Sequence, residues 1–471
     1  MMGTEAGGAT VAVLDVGKSN IKLSACTADG HVLETLALAN AVLDGPPWRH
    51  HDLRAQNAFV MEGLASLARH HPLAQFVASG HGSGGMLVGD DPDCGGTGLV
   101  LPMIDYEQPL PPGLDAAYAP QSGGFFDRGS AVMMAATHTA RQMFWAETAE
   151  PRAFATARWC LGIPQYWAWR LSGRAVSEAS ILGAQSHLWN VRDRTWAPIV
   201  QRRGWGRLMP PFARAADDLG PVRPDLARHH GLPPLRVHAG AHDSSVSFFR
   251  YQAAGLRDFV LVSTGTWIVC FADRMDLARL DEARGMTCNA DMEGAPLGGV
   301  LTMGGREYSA VAGAQPENAR AATGVLSRLI AQGTMALPTF GTNDGQFPGS
   351  AGKGHILGPP PAGPQERHAL AVLYCALLAV SCGGMLDPGR PWVLDGSFLR
   401  DPAFAGLVAA LRTGQKTVTA PESYGIAAGA ALLCRAQGGL VPLDLAPARA
   451  LGLPGLTDYA ARWRTLAGDT R

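Results

Sequence analysis

Two stretches, about half the chain apart, are built alike: VAVLDVGKSNIKLSA (Val11–Ala25) and DFVLVSTGTWIVCFADR (Asp258–Arg274). Each is an apolar run, a short polar turn holding one glycine, and a second apolar run. That pattern predicts strand, tight turn and antiparallel strand. A chain that opens each half this way is expected to bury two sheets and build a core around each. The GKS at Gly17–Ser19 imitates the tail of a phosphate-binding P-loop. The glycine needed five residues earlier is Ala12, however, and no helix pattern follows. Ile21–Leu38 instead alternates apolar and polar residues and turns at Asp29-Gly30.

A hairpin turn can still hold an anion. Gly17 lets backbone approach, and successive N–H groups form a nest. Lys18, Ser19 and Asn20 add donors, and Asp15 at the strand end is placed to hold Mg²⁺ through water. In the echo, Thr264, Gly265 and Thr266 offer a second such turn. Together they suggest a duplicated architecture with a nucleotide between the halves.

With 471 residues the chain is too long for one core and suits two large domains. Hydrophobic residues make up 47% and charged ones 17%, enough for a large interior. The net charge of −1 argues against a polyanion surface, so no nucleic-acid partner is expected. The eight cysteines form no C-x-x-C pair and mostly sit in apolar stretches, which suggests a reducing, cytoplasmic compartment and no structural zinc. The N-terminus lacks a basic leader pattern, and no uninterrupted apolar run of about 18 residues stands out, so no membrane partner is expected.

Further along, residues 55–70 have helical spacing, and 136–172 read as two helices. The second, IPQYWAWRLSG, is closed by Gly173, with Tyr166, Trp167 and Trp169 as core residues. HLWNVRDRTW reads as a small hairpin, 338–365 as a long surface loop and 366–386 as an apolar helix. Gly231–Pro234 mark the expected border between domains.

Five segments in order carry a resemblance: LDVGKSN, PQYWAWRLSG, AGAHDSSVSF, VSTGTW and VLDGSFLRDPAFAGLVAALRTGQKTVTAPESYGIAAGAALL. The chain resembles the FGGY family of carbohydrate kinases over roughly residues 10–435. Its Ser-Thr-Gly-Thr-Trp turn is most similar to the rhamnulokinase-like and fuculokinase-like branches. The resemblance implies an α/β fold of two actin-like (ribonuclease H-like) ATPase domains with an interdomain cleft. It implies a sugar-binding domain over 1–233 and a nucleotide-binding domain over 234–471. ATP and Mg²⁺ are the expected cofactors and a small-molecule sugar the expected substrate; a homodimer is left open.

Phosphoryl transfer needs an in-line acceptor, neutralised phosphate charge and a base for the hydroxyl proton. Asp243, in GAHDSS, is the expected base, although Asp before Ser-Ser is also a good helix cap. By resemblance the nucleotide falls to Asp15, Gly17, Lys18, Ser19, Asn20, Thr264, Gly265, Thr266, Gly304, Gly305, Gly396, Ser397 and Arg400. The family's glycine run before Gly396 is replaced by Leu394-Asp395, which leaves the adenosine contact unspecified. For the sugar, loops offer His81, Asp105, Tyr106, Gln185, His187, His242 and Asp243 itself, with PPWRHHDL and its Asp52 as a cover. The Arg that often follows the acid near MIDYE in the family is missing. The expected reaction is ATP-dependent phosphorylation of a ketose or related small sugar of L-rhamnulose, L-fuculose or pentulose type. The alternatives are a polyol or sugar-acid kinase, or a catalytically silent sensor on the same fold.

Overall fold

The computed structural model describes residues 10–420, 425–435 and 439–468. Pro421–Tyr424, inside the segment assigned to adenosine, lie outside the described residues. The chain divides into two compact units: described residues of 1–255, 288–296 and 424–441 in the first, and of 256–287, 297–423 and 442–471 in the second. The expected border at 233/234 therefore moves to Gly255/Leu256. The physical reason is strand pairing, since Arg236–His238 and Ala241–His242 both join the Leu73–Gly80 strand of the first sheet.

The first unit is organised by the opening hairpin. Thr10–Val16 pairs antiparallel with Asn20–Cys26 and parallel with Leu73–Gly80. The sheet runs Asp218–Pro221, Arg236–His238, Leu73–Gly80, Thr10–Val16, Asn20–Cys26, Val32–Ala39. A strand between parallel and antiparallel neighbours, covered on both faces, must be apolar on both. Accordingly Ala12, Leu14 and Val16 enter one core with Leu23, Leu64 and Phe76, while Val11 and Val13 enter another with Val77 and Val246. The outermost strand, Val32–Ala39, alternates half-buried and exposed residues, as an edge with one wet face should.

The helix expected over 55–70 spans Leu53–Leu67, capped by the Asp52 carboxylate on Ala55 N–H at 3.0 Å. Asp52 is thus spent on a helix end rather than on a sugar cover. The Ile163–Ser172 helix buries Tyr166, Trp167 and Trp169. Trp189–Asn190 and Thr195–Trp196 form the small expected hairpin.

The second unit repeats the plan. Val260–Thr264 pairs antiparallel with Ile268–Asp273 and parallel with Trp392–Gly396, which pairs parallel with Thr417–Thr419. Its core is threaded by the Pro364–Leu386 helix, of which Ala369 to Ala379 are buried throughout. By length and composition this helix could cross a membrane, contrary to the expectation that none would, but 94% of its apolar window is buried inside the fold. The loop expected over 338–365 contains a strand, His355–Leu357, paired with Met335–Leu337.

Gly396 shows why this unit needs glycine at the end of its strand. It has φ +96°, and a Cβ there would lie 2.0 Å from Thr264 O. Gly396→Ala is expected to cost about 2–4 kcal/mol in equilibrium urea unfolding. Gly414→Ala, at φ +79° but in open space, should cost about 1 kcal/mol. Equal losses would show that the close approach to Thr264 carries no weight.

Candidate active site

In the first unit three parallel strands end together. Val16 and His242 both stand opposite Gly80 in the ladder. The chain leaves these ends through Gly17, His81 and Asp243, so their side chains gather at the carboxyl edge of one sheet. Such edges are where open α/β sheets bind ligands.

The first turn is closed by Gly17 N–H donating to Asn20 O at 3.0 Å and by Asn40 Nδ2 donating to Gly17 O at 2.8 Å. Gly17 N–H is therefore used within the hairpin, so the expected anion nest does not include it. Ser19 and Asn20 are exposed. Lys18 points to the other expected ligand group: its ammonium is bonded to Asp105 and lies 5.1 Å from the Tyr106 ring centroid.

Asp105 is fully buried. Arg49 Nη2 lies 3.2 Å and His51 Nε2 4.0 Å from its carboxylate, and Oδ1 accepts Glu107 N–H at 3.2 Å. Burial would raise its pKa, but the Lys18 hydrogen bond and charge prevail and hold it below the usual range.

His81 faces this group, with ring centroids 5.4 Å from Tyr106 and 6.3 Å from His51. Both of its ring nitrogens are buried and without a hydrogen-bond partner among the described residues. Burial pulls its pKa down to about 4, with Asp243 opposing and Lys18 assisting. A neutral imidazole offers one donor and one acceptor, and buried polar atoms seek partners. That is a fit for a hydroxyl-bearing ligand.

Asp243 is the first residue of the Asp243–Ala253 helix. Its Oδ1 accepts from Ser244 N–H and, at 3.0 Å, from Ser244 Oγ. Asp15 feels Asp243: burial first, then the Asp243 charge, pushes Asp15 up to about 7, while Lys22, its cross-strand partner, pulls down. A divalent cation would relieve that repulsion. Among the described residues no cluster of three or more His, Cys, Asp or Glu could hold a metal. The carboxylate of Asp15 at the strand end fits Mg²⁺, which typically takes one or two carboxylates and completes its shell with water and phosphate oxygens.

Three expected sugar contacts fall elsewhere. His187 is wholly buried, bonded to Tyr118 Oη at 2.8 Å and Ser130 Oγ at 3.0 Å and stacked on His138. Both of its nitrogens are used. Gln185 lends its carbonyl to His138 and its amide to Asn289 at 3.5 Å. The His242 ring is engaged by Ser245 and Asp243, which leaves no ring nitrogen for a sugar. Conversely, Arg49 and His51 join the site although they were not singled out. Their signal was the basic run Arg49-His50-His51, read only as a cover.

In the second unit, Gly265 N–H closes its turn on Trp267 O at 2.8 Å, and Gly305 N–H donates to Thr266 O at 3.0 Å. A Cβ at Gly305 would lie 2.8 Å from Gly265 O. The Gly304–Ala312 helix thus starts directly against the turn. Thr264 is buried; its Oγ1 donates to Asp395 O at 2.8 Å and accepts Phe398 N–H at 3.2 Å. Its hydroxyl ties two strands together and is not available to phosphate. Ser397 Oγ sits 3.4 Å from Thr264 O. Arg400 is exposed, whereas Asp401 next to it holds Ala403 N–H, Ala321 N–H and His368.

Residues 121–249 match the N-terminal domain of the FGGY family of carbohydrate kinases, and 256–442 match the carbohydrate kinase FGGY C-terminal domain. A carbohydrate kinase structure from Novosphingobium aromaticivorans is 28% identical, with TM-score 0.85, over 99% of this chain and 100% of that one. Ligand-bound xylulose kinase from Lactobacillus acidophilus shares the fold at 14% identity and TM-score 0.79, over 98% and 97%. L-Fuculokinase from Haemophilus influenzae is 29% identical over 137 residues, a match spanning 29% of this chain and only 28% of that relative.

The Asp15 shift has a testable sign. An acid whose folded pKa is raised holds its proton better when folded. Stability is then greatest below the unfolded value near 4 and declines as pH rises through about 7. Asp15→Asn should stabilise the ligand-free protein at pH 8 by about 2 kcal/mol and leave it unchanged at pH 4, as read by denaturant unfolding. A variant less stable at pH 8 would refute the raised pKa of Asp15.

Proposed function

The chain belongs to the FGGY family of carbohydrate kinases, and we propose that it transfers the γ-phosphoryl group of ATP to a hydroxyl of a ketose or related small sugar of L-rhamnulose, L-fuculose or pentulose type. The observation that carries this reading is one sheet edge bearing a candidate base, Asp243, and a buried histidine, His81, whose two nitrogens lack partners.

MgATP, when bound, supplies the electrophilic phosphorus and spreads the charge of its phosphates over the metal. Asp15 would hold the metal through water. Ser19 and Asn20 of the first turn and Thr266 of the second would take phosphate oxygens, Gly304-Gly305 would pack close to the nucleotide, and Gly396, Ser397 and Arg400 would border the nucleoside. His81 gives and accepts one hydrogen bond each with adjacent sugar hydroxyls. Asp105 accepts from others, and Tyr106 walls the site. Asp243 removes the proton of the attacking hydroxyl. Because the proton departs late, a carboxylate at a helix N-terminus suffices as base.

A second reading has its own support. Lys18 and Arg49 bring two positive charges to the single carboxylate of Asp105, an excess that suits a sugar acid. A gluconate kinase from Lactobacillus acidophilus shares the fold at 14% identity.

An ADP-release screen over ketoses, polyols and sugar acids separates these readings. Turnover on a ketose, reduced about 10²–10⁴-fold in Asp243→Ala, is the expected result. Turnover on an aldonate, with KM raised by Arg49→Ala, would favour the acid. Nucleotide binding without turnover on any sugar would leave only a sensor.

A further inference from the structure

His242 stands beside the candidate base, and the hydrogen bonds around it fix where its proton sits. Ser245 Oγ lies 2.8 Å from the carbonyl of Ala290. A carbonyl only accepts, so the single Ser245 hydroxyl proton is committed there. Ser245 Oγ is also 3.0 Å from His242 Nδ1. With the serine proton already placed, Nδ1 must donate and therefore carries hydrogen. A neutral ring then presents a bare lone pair at Nε2. That lone pair faces Asp243 Oδ1 at 3.2 Å.

Two lone pairs at that distance repel unless one proton lies between them. The ring is buried and held at Nδ1 by Ser245 Oγ, and its backbone is pinned as well. His242 N–H donates to Ser180 Oγ at 3.0 Å, and Ser180 Oγ donates to the buried Glu178 carboxylate at 2.7 Å. Glu178 in turn caps the Ala179–Leu182 helix through Ser180 and Ile181 N–H.

We propose that His242 is a positioning residue for phosphoryl transfer: its Nε2 shares with Asp243 the one proton that the carboxylate takes from the sugar hydroxyl. This rests on the kinase reading above. In the step, the hydroxyl O–H bond breaks as its oxygen bonds to the γ-phosphorus, and the bond from phosphorus to the departing ADP oxygen breaks. The proton passes to the Asp243 carboxylate, is shared with Nε2, and leaves to solvent on product release. Ser245 holds the ring in the one tautomer that can do this, and Ser180 and Glu178 fix the backbone that carries it. An Nε2–H tautomer would instead donate to Asp243, lower its basicity and block the exchange.

Nitrogen NMR of the full chain labelled with ¹⁵N-histidine, without ligands, tests the proton placement directly. The His242 signal is assigned by its loss in His242→Gln. The expected result is a proton on Nδ1 in the wild type and loss of that preference in Ser245→Ala, which leaves Asp243 and its helix start intact. Asp243→Asn should shift the Nε2 resonance. A wild-type ring protonated at Nε2 with bare Nδ1 overturns the proposal, whatever the sugar screen returns.

The kinetic arm uses His242→Gln on the sugar found in that screen. kcat should fall about tenfold or more while both KM values stay within about threefold. A loss confined to KM, or none, also overturns it. An Nδ1 tautomer in a protein that phosphorylates no sugar overturns the kinase reading and the source of the proton, while the paired tautomer itself stands.

Discussion

The polar edge of the first unit is assembled by backbone pairing, against the preferences of its own charges. Burial first, and then the charge of Asp243, disfavours the ionised form of Asp15. Asp15 and Asp243 are held near each other because Val16 and His242 both align with Gly80 across parallel ladders. Gly240 makes this geometry possible: at φ +76° its Cβ would fall 2.2 Å from Ala78 O. The apolar faces of the central strands provide the stabilisation that offsets the crowded carboxylates. This is the usual relation between a well-packed scaffold and a strained site.

The Lys18–Asp105 pair adds a second constraint. It joins the phosphate-type turn to the loop expected to meet sugar. Asp105 is fully buried, and a buried carboxylate without partners would lose its charge. Lys18, Arg49 and the Glu107 N–H keep it ionised. A ligand that hydrogen-bonds to Asp105 therefore enters a network that already includes the turn, so binding of the acceptor and the geometry of the turn are physically linked.

The second unit solves a similar packing problem with less charge. Its turn is braced by Thr264 against Asp395 and Phe398, and by the start of the Gly304–Ala312 helix. Gly396 and Gly305 are small because backbone occupies the space a side chain would need. The replacement of the family's glycine run by Leu394-Asp395 is absorbed here. Leu394 is core, and Asp395 accepts Gly396 N–H at 2.6 Å.

Much of this was legible from local pattern. Apolar runs broken by a glycine turn produced the two hairpins, and the echo between them announced the repeated sheet plan. The place of Asp243 at a helix start was legible because an acid before Ser-Ser, after an apolar strand, makes a good helix beginning. What local pattern could not reveal was partnership. Lys18 reads as a phosphate ligand in its own turn, yet it bonds an acid far along the chain. His187 reads as a loop contact but closes a buried network with Tyr118, Ser130 and His138. His242 reads as a sugar contact, but its neighbours are chosen by Ser245 and Ala290. Strand identity and turn chemistry follow from side-chain period and backbone freedom, which are properties of short segments. The protonation, pairing and burial of each polar group follow from which distant segments the sheet brings alongside, and only the folded chain decides that.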